Sequence, residues 1–199
     1  MEIIESGMTF ILEDNNCFHI EKHALGKTNC KRSTRNNKVC EFITFAHNRH
    51  VFVEAKSSAP KGPSGNVADL QLNGNPMPDN WRAFDNYTTY LHDIAQKFID
   101  SFHILQAIAV GRHGAEELRN TGLPKLFSSK DNIGVEFVLI LNLPATAGNV
   151  ARESFAPLKD ALTKELRPFL KTWNISTEAI KIFWPQEAQR HYAFLQKIS

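Results

Sequence analysis

The chain has 199 residues, 42% of them hydrophobic and 22% charged, which suits one compact domain over residues 1–199 with a core that needs neither metal nor disulfide staples. The opening Met1-Glu-Ile-Ile-Glu5 has no basic region leading into an apolar run, and no apolar stretch approaches the roughly 20 residues that span a bilayer, so the expectation is a cytoplasmic protein without a membrane partner. Cys17, Cys30 and Cys40 show no Cys-x-x-Cys spacing and support neither a disulfide framework nor a structural zinc site, and a net charge of +2 does not by itself mark a polyanion-binding protein.

In chain order, residues 8–12 and 17–20 are short runs rich in aromatic and branched residues, and Glu13-Asp-Asn-Asn16 between them predicts a hairpin. The next segment holds Lys22, Lys27, Lys31, Arg32, Arg35 and Lys38 without one acid, a basic polar loop that suits a nucleic-acid backbone or a plain solvated connection. Residues 39–46 and 50–56, separated by His47-Asn48-Arg49, predict a second hairpin. Residues 57–80, dense in Pro, Gly, Ser and Asn, form a loop long enough to serve as a flap. A helix is predicted over 81–112, where Phe84, Tyr87, Leu91, Ile94, Phe98, Phe102 and Leu105 recur three or four apart. Residues 133–143 read as a central strand covered on both faces. Helical character over 151–173, interrupted by Pro157 and Pro168, a strand over 179–184 and a helix over 186–198 complete the chain. The fold class is α/β (α+β): a mixed sheet that begins as an antiparallel meander and is flanked by helices.

Strand alternation puts Phe52, Glu54 and Lys56 on one face and groups Glu41, Ile43 and Phe45 in the preceding strand. A two-residue turn at His47-Asn48, or a four-residue loop over 46–49, would set Glu41 opposite Glu54, with Cβ atoms about 4.5 to 5.5 Å apart. A three-residue loop would send Glu41 to the other face unless a bulge corrected it. Facing carboxylates repel unless one is protonated or a cation sits between them, and magnesium is the hard oxygen-seeking ion suited to that place. Lys56, on the same face, could stabilise charge on a phosphate or orient a water. Ordinary cross-strand ion pairs among Glu41, Glu54 and Lys56 are the plainer alternative.

Glu41 on one strand, then Val51-Phe-Val-Glu54-Ala-Lys56-Ser57 on its hairpin partner, then a long helix and further strand–helix units, resembles the PD-(D/E)xK nuclease superfamily with its restriction-endonuclease-like core. The resemblance covers residues 39–143. It implies that Glu41 and Glu54 bind Mg2+, with Mn2+ as a substitute, and that Lys56 assists the attacking water. It further implies a metal-dependent nuclease acting on DNA rather than RNA, in defence against foreign DNA or in repair, with a partner protein or a homodimer compatible with it. The superfamily's first acid is usually aspartate, often after proline, where this chain has Cys40-Glu41. The superfamily core usually starts with a helix that sometimes bears another acid; Glu21 is the candidate here, with a surface pair to Lys22 as its plainer reading.

His19 with His23 and His47 with His50 have ligand-like spacing, but neither pair joins a cysteine pair. Gln96 and Lys97 lie on the long helix, from which members of the superfamily send a polar residue into the site, although an Asp93–Lys97 pair at i, i+4 accounts for Lys97 more simply. No phosphate-binding Gly-rich loop, nucleophile elbow or dinucleotide fingerprint is present. Two rivals stand beside the nuclease: a non-catalytic nucleic-acid-binding or protein-interaction module of the same fold, and a subunit active only in a larger complex.

Overall fold

The computed structural model describes residues 2–12, 16–22, 38–58, 81–112, 123, 134–142 and 155–192, with the backbone alone at 81–84. The expected pairing of residues 8–12 with 17–20 does not form. Met8–Ile11 (β2) instead runs antiparallel to an unexpected first strand, Glu2–Glu5 (β1), with Glu5 opposite Met8. The reason is the turn. Ser6 and Gly7 take φ of 52° and 72°, the positive pair whose twist suits a two-residue hairpin, and glycine accepts such a φ without strain.

Cys17–Phe18 (β3) pairs with Phe42–Ala46 (β4), followed by Arg49–Lys56 (β5), Gly134–Leu141 (β6) and Ile180–Phe183 (β7), in the sheet order β3-β4-β5-β6-β7. The first three strands are antiparallel and the last three parallel, the mixed sheet expected of a meander followed by crossovers. His47 and Asn48, at φ of 51° and 59°, make the two-residue turn between β4 and β5, and Phe42 pairs with Val53. Of the expected 133–143 run, Gly134–Leu141 is interior, between β5 and β7, and all but its first residue is buried.

Helix α1 (Trp81–Ala109) and helix α2 (Phe155–Thr172) cover one face of the sheet. Pro157 falls in the first turn of α2, in keeping with a late start, whereas Pro168 lies inside it. Phe52 and Phe137 from the sheet meet Phe98, Phe102 and Phe169 from the helices, with ring centroids 5.1 to 6.0 Å apart. The other face packs Val51, Val53, Ala55, Val138 and Ile140 against Ile3, Met8 and Phe10 of the hairpin and Ala188 of helix α3 (Pro185–His191). The β1–β2 hairpin is therefore not a continuation of the main sheet but a lid on its second face. Among the described residues, no helix is long and apolar enough to cross a membrane.

The helix-covered face holds an uncompensated polar group. His50 is fully buried, both ring nitrogens lack a hydrogen-bond partner among the described residues, and its ring meets Phe45 at 5.4 Å. Burial lowers its pKa to about 4, so the native imidazole stays neutral where an unfolded one, near 6.5, takes a proton. The stability that follows is fully present above about pH 6.5 and is lost as pH falls towards about 4. We expect denaturant melts of His50→Leu to lack this part of the acid sensitivity, a difference on the order of 3 kcal/mol between the ends of that window. Superimposable pH profiles for the two proteins would show that His50 is not buried as neutral imidazole.

Candidate active site

Three pieces of chain meet at the carboxyl end of β5. The two-residue turn carries the β4–β5 register past Phe42, where the Glu41 amide donates to the Val53 carbonyl at 3.0 Å. Glu41 and Glu54 thus come to the same end of the same face, as the two-residue turn requires. They are only 3% and 0% exposed. The Lys56 ammonium lies 2.6 Å from Glu54 Oε1, so the three residues singled out in the sequence converge.

The structure adds Lys97. Its Nζ donates to Glu54 Oε1 at 2.7 Å and lies 3.8 Å from Glu41 Oε1, bridging the two strands from α1. The expected Asp93–Lys97 pair is not what these side chains make: Asp93 pairs with Lys38, while Gln96 donates to Asp100 at 2.7 Å rather than entering the site. Helical geometry explains the difference. Lys97 is three residues after buried Ile94 and four before buried Ser101, so it lies inside the stripe that faces the sheet. That spacing was readable in the sequence, but a lysine inside an apolar stripe is more economically assigned to the surface. The same flank of α1 fixes the approach to β4. Ser101 Oγ accepts the Cys40 amide at 2.8 Å and Asp100 accepts the Lys38 amide at 3.0 Å.

Glu21 lies on a 3₁₀ turn, Ile20–Lys22, and joins Glu41 rather than the expected Lys22. Glu5, which no sequence argument singled out, completes a group: Glu5, Glu21 and Glu41 each offer a carboxylate oxygen within 4.8 Å of the others. Of the basic loop, Lys38 serves the helix contact, Lys22 is exposed, and Lys27, Lys31, Arg32 and Arg35 lie outside the described residues, as does the 59–80 part of the expected flap.

No family model, characterised protein or solved structure matches this chain. The chemistry of the site must therefore be read from its own atoms.

Charge is divided unevenly. Burial raises the Glu54 carboxyl, and Lys97 and Lys56 oppose that rise through one shared oxygen. Burial would lower the Lys97 ammonium, but Glu54 and then Glu41 outweigh it and hold Lys97 above its usual range, so it is a fixed cation rather than a base. Glu41 is pushed up to about 9, first by burial, then by the charge of Glu54 and by a hydrogen bond with Glu21. The Cys40 thiol is raised by burial and is no nucleophile.

A hard divalent cation fits this arrangement. The donors are carboxylate oxygens with no thiolate or imidazole among them, the set preferred by Mg2+, Mn2+ or Ca2+ over zinc. Glu54 Oε2 supplies a further test: it is buried and has no hydrogen-bond partner among the described residues, while Oε1 takes both lysines. Buried polar atoms are rarely left so.

In chelator, neutralising Glu41 should stabilise the fold. The raised Glu41 pKa means that native stability is full below about 4.5 and is lost as pH rises towards about 9. Glu41→Gln removes this term and should stabilise the metal-free fold at pH 8 by on the order of 2 kcal/mol. Melting curves in EDTA decide it, and destabilisation by Glu41→Gln would mean that Glu41 is held as a structural ion pair.

Proposed function

We propose that this chain is a metal-dependent nuclease of the PD-(D/E)xK kind with a restriction-endonuclease-like core, and that Glu41, Glu54, Lys56 and Lys97 form its active site. The observation that carries the reading is the cross-strand meeting of Glu41 and Glu54, two buried acids, with two lysines at the carboxyl end of a parallel strand. Ligand sites in open α/β sheets favour that end. Mg2+ or Mn2+ would be held by Glu41 and Glu54 with help from Glu21; when bound it polarises a phosphate oxygen and lowers the pKa of water.

The chain's own residues supply the rest. Hydrolysis adds the oxygen of water to phosphorus, breaks one P–O ester bond and leaves a proton for the departing oxygen, while negative charge grows on the phosphoryl oxygens. Lys97 is fixed as an ammonium beside the acids and stabilises that charge. Lys56 is 30% exposed at its side chain against 20% for Lys97, so it is the lysine nearer to solvent and an incoming strand. It orients the water or donates to the phosphate. Both lysines hold Glu54 in one rotamer by sharing Oε1, which leaves Oε2 directed elsewhere. The Tyr90 hydroxyl, two helical turns before Lys97, is buried without a partner among the described residues and is raised by burial and then by the charge of Glu54, so it is one more donor near the acids. DNA is the favoured substrate, with defence or repair as the setting; the basic residues between Lys22 and Lys38 would track its backbone.

Incubation of the full chain with plasmid, linear duplex and single-stranded DNA, and with RNA, in Mg2+, Mn2+ or EDTA tests this. Cleavage should require the divalent ion and fall at least about 100-fold in Glu54→Ala, Lys56→Ala and Lys97→Met. Metal-dependent cleavage that survives in all three variants would remove the activity from this site, and binding without cleavage under every metal would favour the non-catalytic module.

A further inference from the structure

The position of Glu5 is built, not incidental. It ends β1 immediately before the Ser6-Gly7 turn, and that turn is pinned to the ends of two strands of the main sheet. Ser6 Oγ donates to the Ala55 carbonyl at 2.9 Å, between Glu54 and Lys56, and Asn142 Nδ2 donates to the Ser6 carbonyl at 3.1 Å, just beyond β6. At Gly7, which has φ of 72°, an added Cβ would stand 3.3 Å from Asn142 Nδ2, so the turn is both left-handed and close-packed. The result is that a half-buried carboxylate from a separate two-stranded sheet faces Glu41 and Glu21.

Among the described residues, the carboxylates of Glu5, Glu21 and Glu41 adjoin Glu54 across the strands, and the two ammoniums beside them, Lys56 and Lys97, are both spent on Glu54 Oε1. Among the described residues, the Glu5–Glu21–Glu41 side has no comparable cation within it except Lys97, 3.8 Å from Glu41. Glu54 Oε2, buried and unpartnered among the described residues on the strand position opposite Glu41, is the second sign that positive charge is missing between these two strands. Oxygens that share one ion lie at most twice the metal–oxygen distance apart, about 4 Å for Mg2+ and about 5 Å for Ca2+. A spacing within 4.8 Å is on that scale.

We propose that Glu5 is a ligand of the divalent cation, and that cation binding therefore fastens the β1–β2 hairpin to the main sheet. This rests on the reading of the site as a metal site, and adds that the N-terminal hairpin is part of it. With Glu54 beside it, the ion would be shared by Glu41, Glu21 and Glu5, these three contributed by separate segments, so its occupancy is reported by the order of the hairpin. Without the ion the hairpin is held by Ile3, Met8 and Phe10 and by the Ser6 and Asn142 hydrogen bonds, while its acidic end is repelled.

Calorimetric titration of Mn2+ into the full chain without nucleic acid, paired with hydrogen exchange of the residue 2–12 amides, tests it. Wild type should bind Mn2+ and slow exchange in the hairpin. Glu5→Gln and, as a second variant on an exposed side chain, Glu21→Gln should bind at least about tenfold more weakly, the loss that even outer-shell partners of a metal produce, and Mn2+ should no longer slow hairpin exchange in Glu5→Gln. Glu2→Gln, at the far exposed end of the same strand, should behave as wild type. Wild-type Mn2+ affinity in Glu5→Gln, hairpin exchange indifferent to Mn2+ in wild type, or no binding at millimolar Mn2+ would each overturn the proposal. Binding as expected in a protein that cleaves no nucleic acid would instead overturn the nuclease reading alone.

Discussion

The face on which Glu41 emerges is set by the His47-Asn48 turn, and the rest of the site depends on it. A two-residue connection with both φ positive matches the right-handed twist of its strands and allows one register, in which Phe42 pairs with Val53 and Glu41 follows on to the end of β5. One more residue in the turn would move the whole apolar set of β4, Phe42 included, to the wrong layer. Register is therefore enforced twice, by the turn and by the two cores that β4 separates: Ile43 belongs to the helix-covered side and Phe42 to the hairpin-covered side. A carboxylate pair whose repulsion would favour separation is thus held together by apolar burial several residues away.

That arrangement makes Glu41 and Glu54 unequal. Glu54 is the deeper of the two and is compensated by two lysines from different elements, while Glu41 is left with other acids around it. Evolution towards stability alone would remove such a group, because a buried carboxyl held protonated is less favourable than an amide in its place. The proposed nuclease gives the reason to keep it. Lys97 divides the two roles, since a permanent ammonium between the strands limits their repulsion without filling the place of a divalent ion.

Local chemistry in the sequence was enough to reveal the strand face bearing Glu54 and Lys56, the long helix and the interior apolar strand, because each rests on periodicity over many residues. The β1–β2 hairpin was missed because Glu2–Glu5 is only four residues long, and Glu13-Asp-Asn-Asn16 is a richer turn signal than Ser6-Gly7. Glu5 was missed with it. Lys97 was legible as a residue on the right helix, but whether it met Asp93 or Glu54 depended on the rotation of α1 over the sheet, which is fixed by Phe98 and Phe102 packing on Phe52 and Phe137. Helical spacing put Lys97 within the sheet-facing stripe, but its partner across the sheet lies outside any single window of sequence.

The opposite end of the sheet shows what a structural acid looks like in this molecule. Glu136, near the start of β6, is nearly as buried as Glu41, yet both its oxygens are engaged: the Tyr192 hydroxyl donates to Oε2 at 2.7 Å and Arg49 lies 3.5 Å from Oε1. One acid there meets one exposed cation and one neutral donor. At the Glu41–Glu54 end, acids outnumber ammoniums and one buried oxygen has no partner among the described residues. The same chain thus satisfies a buried carboxylate at one end of its sheet and leaves one unsatisfied at the other, which argues that the imbalance belongs to the site and not to the fold. The proposed cation would restore the balance, and the lysines already present would then have a phosphate, rather than the acids alone, within the reach of their charge.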